Sequence, residues 1–321
     1  MSRQTKPALE KQIEEVRSRL QFGYVEGAYH ETGMRIFNLK QALKEFKDES
    51  ESELLRYFPV ASIAALEAHF RATVSLIVNE GGDYFERGLR LIAGDKLKVI
   101  DVIPMIHNKT VTVGDLVAYS LPFSSLKHLV NTYDAILGLD FKRLASTVED
   151  PYFSRQEWQN RQPLAEDIPK LWRELIYTFE ARHILAHESA SQYKVSLKQA
   201  YASVESVEEI VKLIEAVLWE TVWKEKPLTQ YEMNVSAFKQ YRSTRLLLSR
   251  AIREKRHELE GDHERSTFRK LHLQWKKWSW EWCNFSADRF KGGSIRPMIF
   301  ASCLNESAQN RLEEIKDMTG Y

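Results

Sequence analysis

The side chains that could do chemistry in this chain lie together in the stretch Arg182-His183-Ile184-Leu185-Ala186-His187. Imidazole titrates near neutral pH. A histidine can therefore take the proton of a ribose 2′-hydroxyl or protonate a leaving 5′ oxygen. Arginine presents a fixed fork of donors that fits phosphate oxygens and steadies charge building on them. Such a set can cut RNA with no metal and no cofactor.

The position of these groups on a helix limits how they can act. His183 and His187, at i and i+4, share a face. Arg182 and His187 are five residues apart and point about 140° away from each other. One helix therefore supplies half a site, and a second copy across a two-fold axis would complete it. That spacing predicts a homodimer. Two other readings fit the same residues. A zinc site of the HxxxH kind would need Glu after the first histidine, where Ile184 stands. A solvated turn, with Glu180 and Glu188 pairing Arg182 and the histidines, is the plain reading of so short a pattern.

The chain has 321 residues, 43% of them hydrophobic, a size that suits two domains with proper cores. Its 46 basic and 45 acidic residues leave a net charge of +1, so a polyanion site has to be a local patch. With 13 Gly and 9 Pro the composition points away from a turn-rich β fold. The polar N-terminus MSRQTKPALEKQIEE lacks the apolar region of a secretory signal, and no run is read as a membrane span. A cytoplasmic protein with no membrane partner is expected.

Helical periods run through most of the sequence. Leu9, Ile13, Val16 and Leu20 mark one stripe, and Ile36, Leu39, Leu43 and Phe46 a second, predicting a helical arm over residues 1–50. Pro59 opens an apolar helix that Gly81-Gly82 stops, and residues 83–93 form a shorter one. Leu97 to Ile106 reads as extended. Thr112-Val113-Gly114-Asp115 starts a short helix, Ser124 or Ser125 caps the next, and Gly138 ends it. The stretch from Pro151 to Pro163 is polar and irregular, with Trp158 as an anchor. A long helix from about Asp167 to Ala190 carries the opening motif, with Ser203 to Trp223 as its apolar partner. Pro227 marks a boundary, and helices are predicted over 236–260, 263–290 and 298–316. The fold class is all-α, with segments 1–50, 51–227 and 228–321.

FEARHILAHES resembles the R-x4-6-H signature of the HEPN superfamily, in which a polar residue follows the Arg and a small one precedes the His; here these are His183 and Ala186. PVASIAALEAHFRATVSLI is similar to the first core helix of those domains, and SSLKHLVNTYDAILGLDF to a middle one. The resemblance spans residues 55–225. It implies a dimerising helical bundle and a metal-independent endoribonuclease that leaves a 2′,3′-cyclic phosphate and a 5′-hydroxyl. By the same resemblance Arg182 would steady the scissile phosphate and His187 would be the general acid or base. His183, where Asn is frequent, would assist. Glu67 and Arg71, at i and i+4, either face that site or form an ordinary intrahelical ion pair.

The C-terminal segment holds a second pattern. Cys283 lies ten residues before Gly293 and Cys303 ten after it. Antiparallel helices folded at Gly292-Gly293 would set the two cysteines level, within the roughly 5.5 Å between Cα atoms that a disulfide spans. Two buried free thiols are the alternative, favoured by a reducing cytosol. Trp275, Trp278 and Trp282, at i, i+3 and i+7, predict a stripe turned to the core, with Trp280 off it. Arg242, Arg245, Arg253 and Arg256 fall with Ser249 on one face of the preceding helix. They either guide an RNA backbone or pair with Glu254, Glu258 and Glu260. The run of Trp278, Trp282, Cys283, Gly292-Gly293-Ser294, Cys303, Arg311 and Leu312 resembles the LprI family, named for a lysozyme inhibitor, over residues 265–316. That resemblance implies a helical module reused for protein binding or sensing.

The expected architecture is a HEPN-like helical bundle with an N-terminal arm and a C-terminal LprI-like hairpin. The expected activity is RNA cleavage by 2′-OH attack at a composite dimer site, in a toxin or anti-phage defence effector. An antitoxin or regulatory protein would hold it in check. The competing readings are a non-catalytic HEPN scaffold or nucleotide sensor, and a protein-binding module like a lysozyme inhibitor.

Overall fold

The computed structural model describes residues 8–19, 25–46, 53–92, 111–155, 162–188 and 192–318. Among these residues the chain is all-helical, apart from one isolated antiparallel bridge between Glu149 and Pro163. The chain divides into two compact units, Met1–Lys224 and Glu225–Tyr321. The extended segment expected between Leu97 and Ile106, and the Trp158 anchor, lie outside the described residues.

Unit 1 is arranged around one apolar helix. Helices α1 (Ala8–Ser18) and α2 (Val25–Lys44) come first, followed by α3 (Tyr57–Asn79), which packs against α2 and against most of the helices after it. The stretch Glu53–Asn79 is long and apolar enough by composition to cross a membrane, unlike the sequence reading that saw no such run. Two-thirds of its most apolar window is buried inside the protein. It is apolar all round because neighbours cover it on several sides. α2 belongs to this core too. Ile36, Leu39 and Leu43, from the segment expected as a separate arm, are buried in the same cluster as Leu66, Phe70 and Ile214.

Local signals set the helix starts and stops. Thr112 caps α5 (Val113–Ser120) through a reciprocal box with Asp115, and the same carboxylate receives Arg17 of α1 and Ser75 of α3. Gly114 lets α5 close on α3, because a Cβ there would meet the Ser75 carbonyl at 2.2 Å. Ser125 caps α6 (Leu126–Leu137), and Gly138, with φ 68°, ends it in the left-handed conformation that glycine adopts without strain. Short helices α7 (Phe141–Thr147) and α8 (Pro151–Ser154) lead to α9 (Ile168–His187) and α10 (Leu197–Glu220), which pack on each other and on α3. α4 (Gly82–Ile92) lies against α3, α5 and α6. An aromatic cluster joins these layers: Phe70 to Phe123 at 4.9 Å, Phe123 to Phe179 at 5.6 Å, and Tyr133 to Phe141 at 5.0 Å.

Among the described residues unit 2 has three α-helices, α11 (Gln230–Glu258), α12 (Asp262–Ala287) and α13 (Arg296–Asp317), with a short 3-10 turn at Asp288–Phe290. α13 packs on both of the others. Thr229 caps α11 in a reciprocal box with Glu232. The core is small, with Leu248, Phe268, Ala308 and Ile315 buried at its centre. At the other end Cys283 and Cys303 form a disulfide, with Cα atoms 5.5 Å apart.

Candidate functional site

Two places in the molecule present groups able to engage a partner. The first is the C-terminal end of α9. Asp167 caps this helix by accepting the Lys170 amide, and Pro169 fits its first turn. Leu171, Leu175, Thr178, Phe179 and Ala181 form the ridge that faces the core, and Thr178 donates to Ser203 of α10 at 3.2 Å. Beyond Ala181 only Leu185 still packs against the core. Arg182 is half-buried, His183 and His187 are exposed, and their two rings lie 5.1 Å apart. The helix stops at Glu188, whose amide donates to Ile184.

Arg182 makes no hydrogen bond or ion pair among the described residues, with Glu180 and Glu188 included. The structure thus brings the two histidines together and turns the guanidinium to another side of the helix. Glu67 and Arg71 form the intrahelical pair, at 2.7 Å, and Arg71 also donates to the Ala118 carbonyl and lies over the Tyr119 ring. These groups tie α3 to α5. A third histidine escaped the sequence reading: His69 on α3 is fully buried, and burial pushes its pKa down to about 3. It is a neutral core group, and its place on the apolar helix α3 was the signal for it.

The second place is the surface of α12, where the expected core stripe is corrected. Trp275 is partly buried against the unit's core, but Trp278 is 57% exposed and Trp282 is 52% exposed. Their rings stack 6.1 Å apart with planes 7° from parallel, and Phe285 lies 6.1 Å beyond Trp282. The buried ridge is instead Phe268, Ser279, Cys283 and Ala287. Three of these are small, and with Ala301 and Ala308 on α13 they let the two backbones approach closely. The large rings are left on the flank, since α13 cannot cover both ridges of α12. The row Ser279, Cys283, Ala287 at spacing four was the sequence signal that would have shown which ridge packs.

On the other flank Trp280 meets Phe300 edge-on at 6.2 Å. There a cavity of about 330 Å³ is lined by Tyr241, Leu273, Trp275, Trp280, Leu304 and Lys277, among others. The four arginines of α11, Arg242, Arg245, Arg253 and Arg256, are all exposed. Glu254 pairs with Arg250 and Glu258 with Lys255, so the pairing expected for the stripe is absent among the described residues. Unit 2 has 18 Lys and Arg against 13 Asp and Glu, a net +5, while residues 1–224 have 28 against 32, a net −4.

Residues 224–315 match the family described as lysozyme inhibitor LprI. The match covers less than a third of the chain. It begins one residue before unit 2 and takes in α11 as well as nearly all of the hairpin expected over 265–316. No curated protein and no solved structure matches the chain. These comparisons lend no support to the HEPN resemblance over residues 55–225.

Proposed function

We propose that this chain is a protein-binding protein whose recognition surface lies on unit 2, centred on Trp278, Trp282 and Phe285. The observation that carries this reading is the exposure of three contiguous aromatic rings on a helix whose other ridge is fully packed. Exposed apolar patches of this kind mark interaction surfaces, and tryptophan is among the residues that dominate binding energy. The family match supports the same reading, since its printed description names an inhibitor of a protein.

The test uses the full chain as bait, beside a Trp278→Gln/Trp282→Gln variant, against host lysate and against purified lysozyme. A protein retained by the wild type and lost with the variant supports the reading. Equal retention by both forms, or none by either, contradicts it.

A second reading rests on a different observation. Arg182 makes no ion pair among the described residues, and it lies next to His183 and about 1.4 turns before His187, two exposed imidazoles whose rings adjoin. In that reading two copies of α9 meet in a homodimer. Arg182 of one copy then steadies a phosphate while His187 of the other moves the proton, with His183 assisting. The protein would be a cytoplasmic ribonuclease effector. Incubation with transfer and messenger RNA in EDTA tests it: cleavage should be abolished by both Arg182→Ala and His187→Ala. Intact RNA in every condition would remove the reading and leave a scaffold.

A further inference from the structure

We infer that the exposed face of α11 is a docking track for a single-stranded phosphodiester chain, separate from the aromatic surface of α12. Helical geometry puts Tyr231, Val235, Phe238, Arg242, Arg245, Arg253 and Arg256 within an arc of about 80°. The buried residues Ala237, Thr244 and Leu248 lie about 120° away from the middle of that arc. Arg242 and Arg256 are about 21 Å apart along the axis, and the track from Tyr231 to Arg256 runs about 38 Å.

A nucleic-acid strand fits this face better than an acidic protein for three reasons. First, no carboxylate breaks the face: the cations stand as two pairs, Arg242 with Arg245 and Arg253 with Arg256, the sequence from residue 233 to 253 contains no Asp or Glu, and the arginines are not engaged by the glutamates that follow. A continuous chain of phosphates can reach both arginine pairs across the roughly 12 Å between Arg245 and Arg253, whereas a protein surface scatters its carboxylates. Second, every cation within the arc is arginine, whose planar fork grips phosphate oxygens in pairs. Third, Tyr231 is 76% exposed and Phe238 38% exposed on the same arc, which gives unstacked bases a ring to lie against. The unit's net charge of +5 adds a general attraction to such a strand.

The test is fluorescence anisotropy of the full chain with oligouridylate and oligothymidylate of roughly 15 nucleotides, over a range of salt. With four phosphates neutralised, the logarithm of the binding constant should fall against log salt with a slope near −3, about −0.7 per phosphate. The Arg242→Gln/Arg245→Gln/Arg253→Gln/Arg256→Gln variant keeps good helix formers and removes the charges. It should bind at least tenfold more weakly at low salt, with a nearly flat slope. Tyr231→Ala/Phe238→Ala should weaken binding and leave the slope unchanged. Tighter binding of oligouridylate would assign the track to RNA, and equal binding to either strand. Three results would overturn the inference: no binding by the wild type, an unchanged slope in the glutamine variant, or equally strong competition by polyglutamate. The last would assign the face to an acidic protein.

Discussion

Unit 1 encloses Phe70, Tyr133 and Phe141 so fully that none touches solvent, whereas unit 2 leaves Trp278, Trp280, Trp282 and Phe285 more than half exposed. The difference follows from the number of layers. In unit 1, α3 is surrounded by α2, α5, α9 and α10, and most of its apolar residues are covered. In unit 2, α12 has α13 on one ridge and a small core shared with α11, so its remaining aromatic rings face outward. Unit 1 draws its stability from a large continuous core. Unit 2 combines a small core with a covalent staple and leaves apolar surface exposed, the surface proposed above to engage a partner.

The comparison breaks most sharply in the core of unit 1. Phe70→Ala should cost about 3–5 kcal/mol, enough to unfold a marginal domain. Hydrogen exchange of α3 and α10 should rise strongly, while α12 and α13 stay protected. Next comes the staple. The disulfide joins residues 20 apart in sequence, and opening a loop of that size should cost about 3 kcal/mol. Cys283→Ser/Cys303→Ser, or reduction, should raise exchange in α12 and α13 and leave α3 unchanged.

A pH titration sharpens the contrast further. His69 titrates at about 3 when folded and near 6.5 when unfolded, so the unfolded chain binds the extra proton between those values. Stability of unit 1 is therefore fully present above about pH 6.5 and falls as pH drops toward 3, by at most ~1.4 kcal/mol per pH unit from this group. A His69→Leu variant should show a flatter acid limb in thermal unfolding of unit 1. An unchanged limb would show that another group sets it.

Much of the fold was legible because its signals are local. Ser125 and Gly138 mark the ends of α6 by their own backbone preferences, and the α9–α10 pairing followed from apolar period alone. The all-α class rested on the same periodicity. The choices that need a distant partner were not legible. The stripe Ile36, Leu39, Leu43 said that α2 has a buried face but not that α3 and α10 cover it. On α12 the large aromatic side chains drew attention from the small residues that make the seam. The candidate site was read in part. The sequence located Arg182, His183 and His187 and their divergence on one helix, and it named the four arginines of α11. It gave no view of which ion pairs would leave those arginines uncovered, since side-chain pairing on a helix surface depends on rotamers rather than on spacing alone.

The smallest expected effect on stability belongs to the surface proposed to bind a partner. Trp278→Gln/Trp282→Gln should shift thermal unfolding little, because both rings are already half in solvent. The decisive measurement is a titration of the captured protein partner with the wild type and this double variant, with thermal unfolding of both forms alongside. The two forms should unfold at nearly the same temperature, and the variant should bind at least about 30-fold more weakly, from about 2 kcal/mol lost at a hot spot of this kind. Unchanged affinity for the folded variant would contradict it.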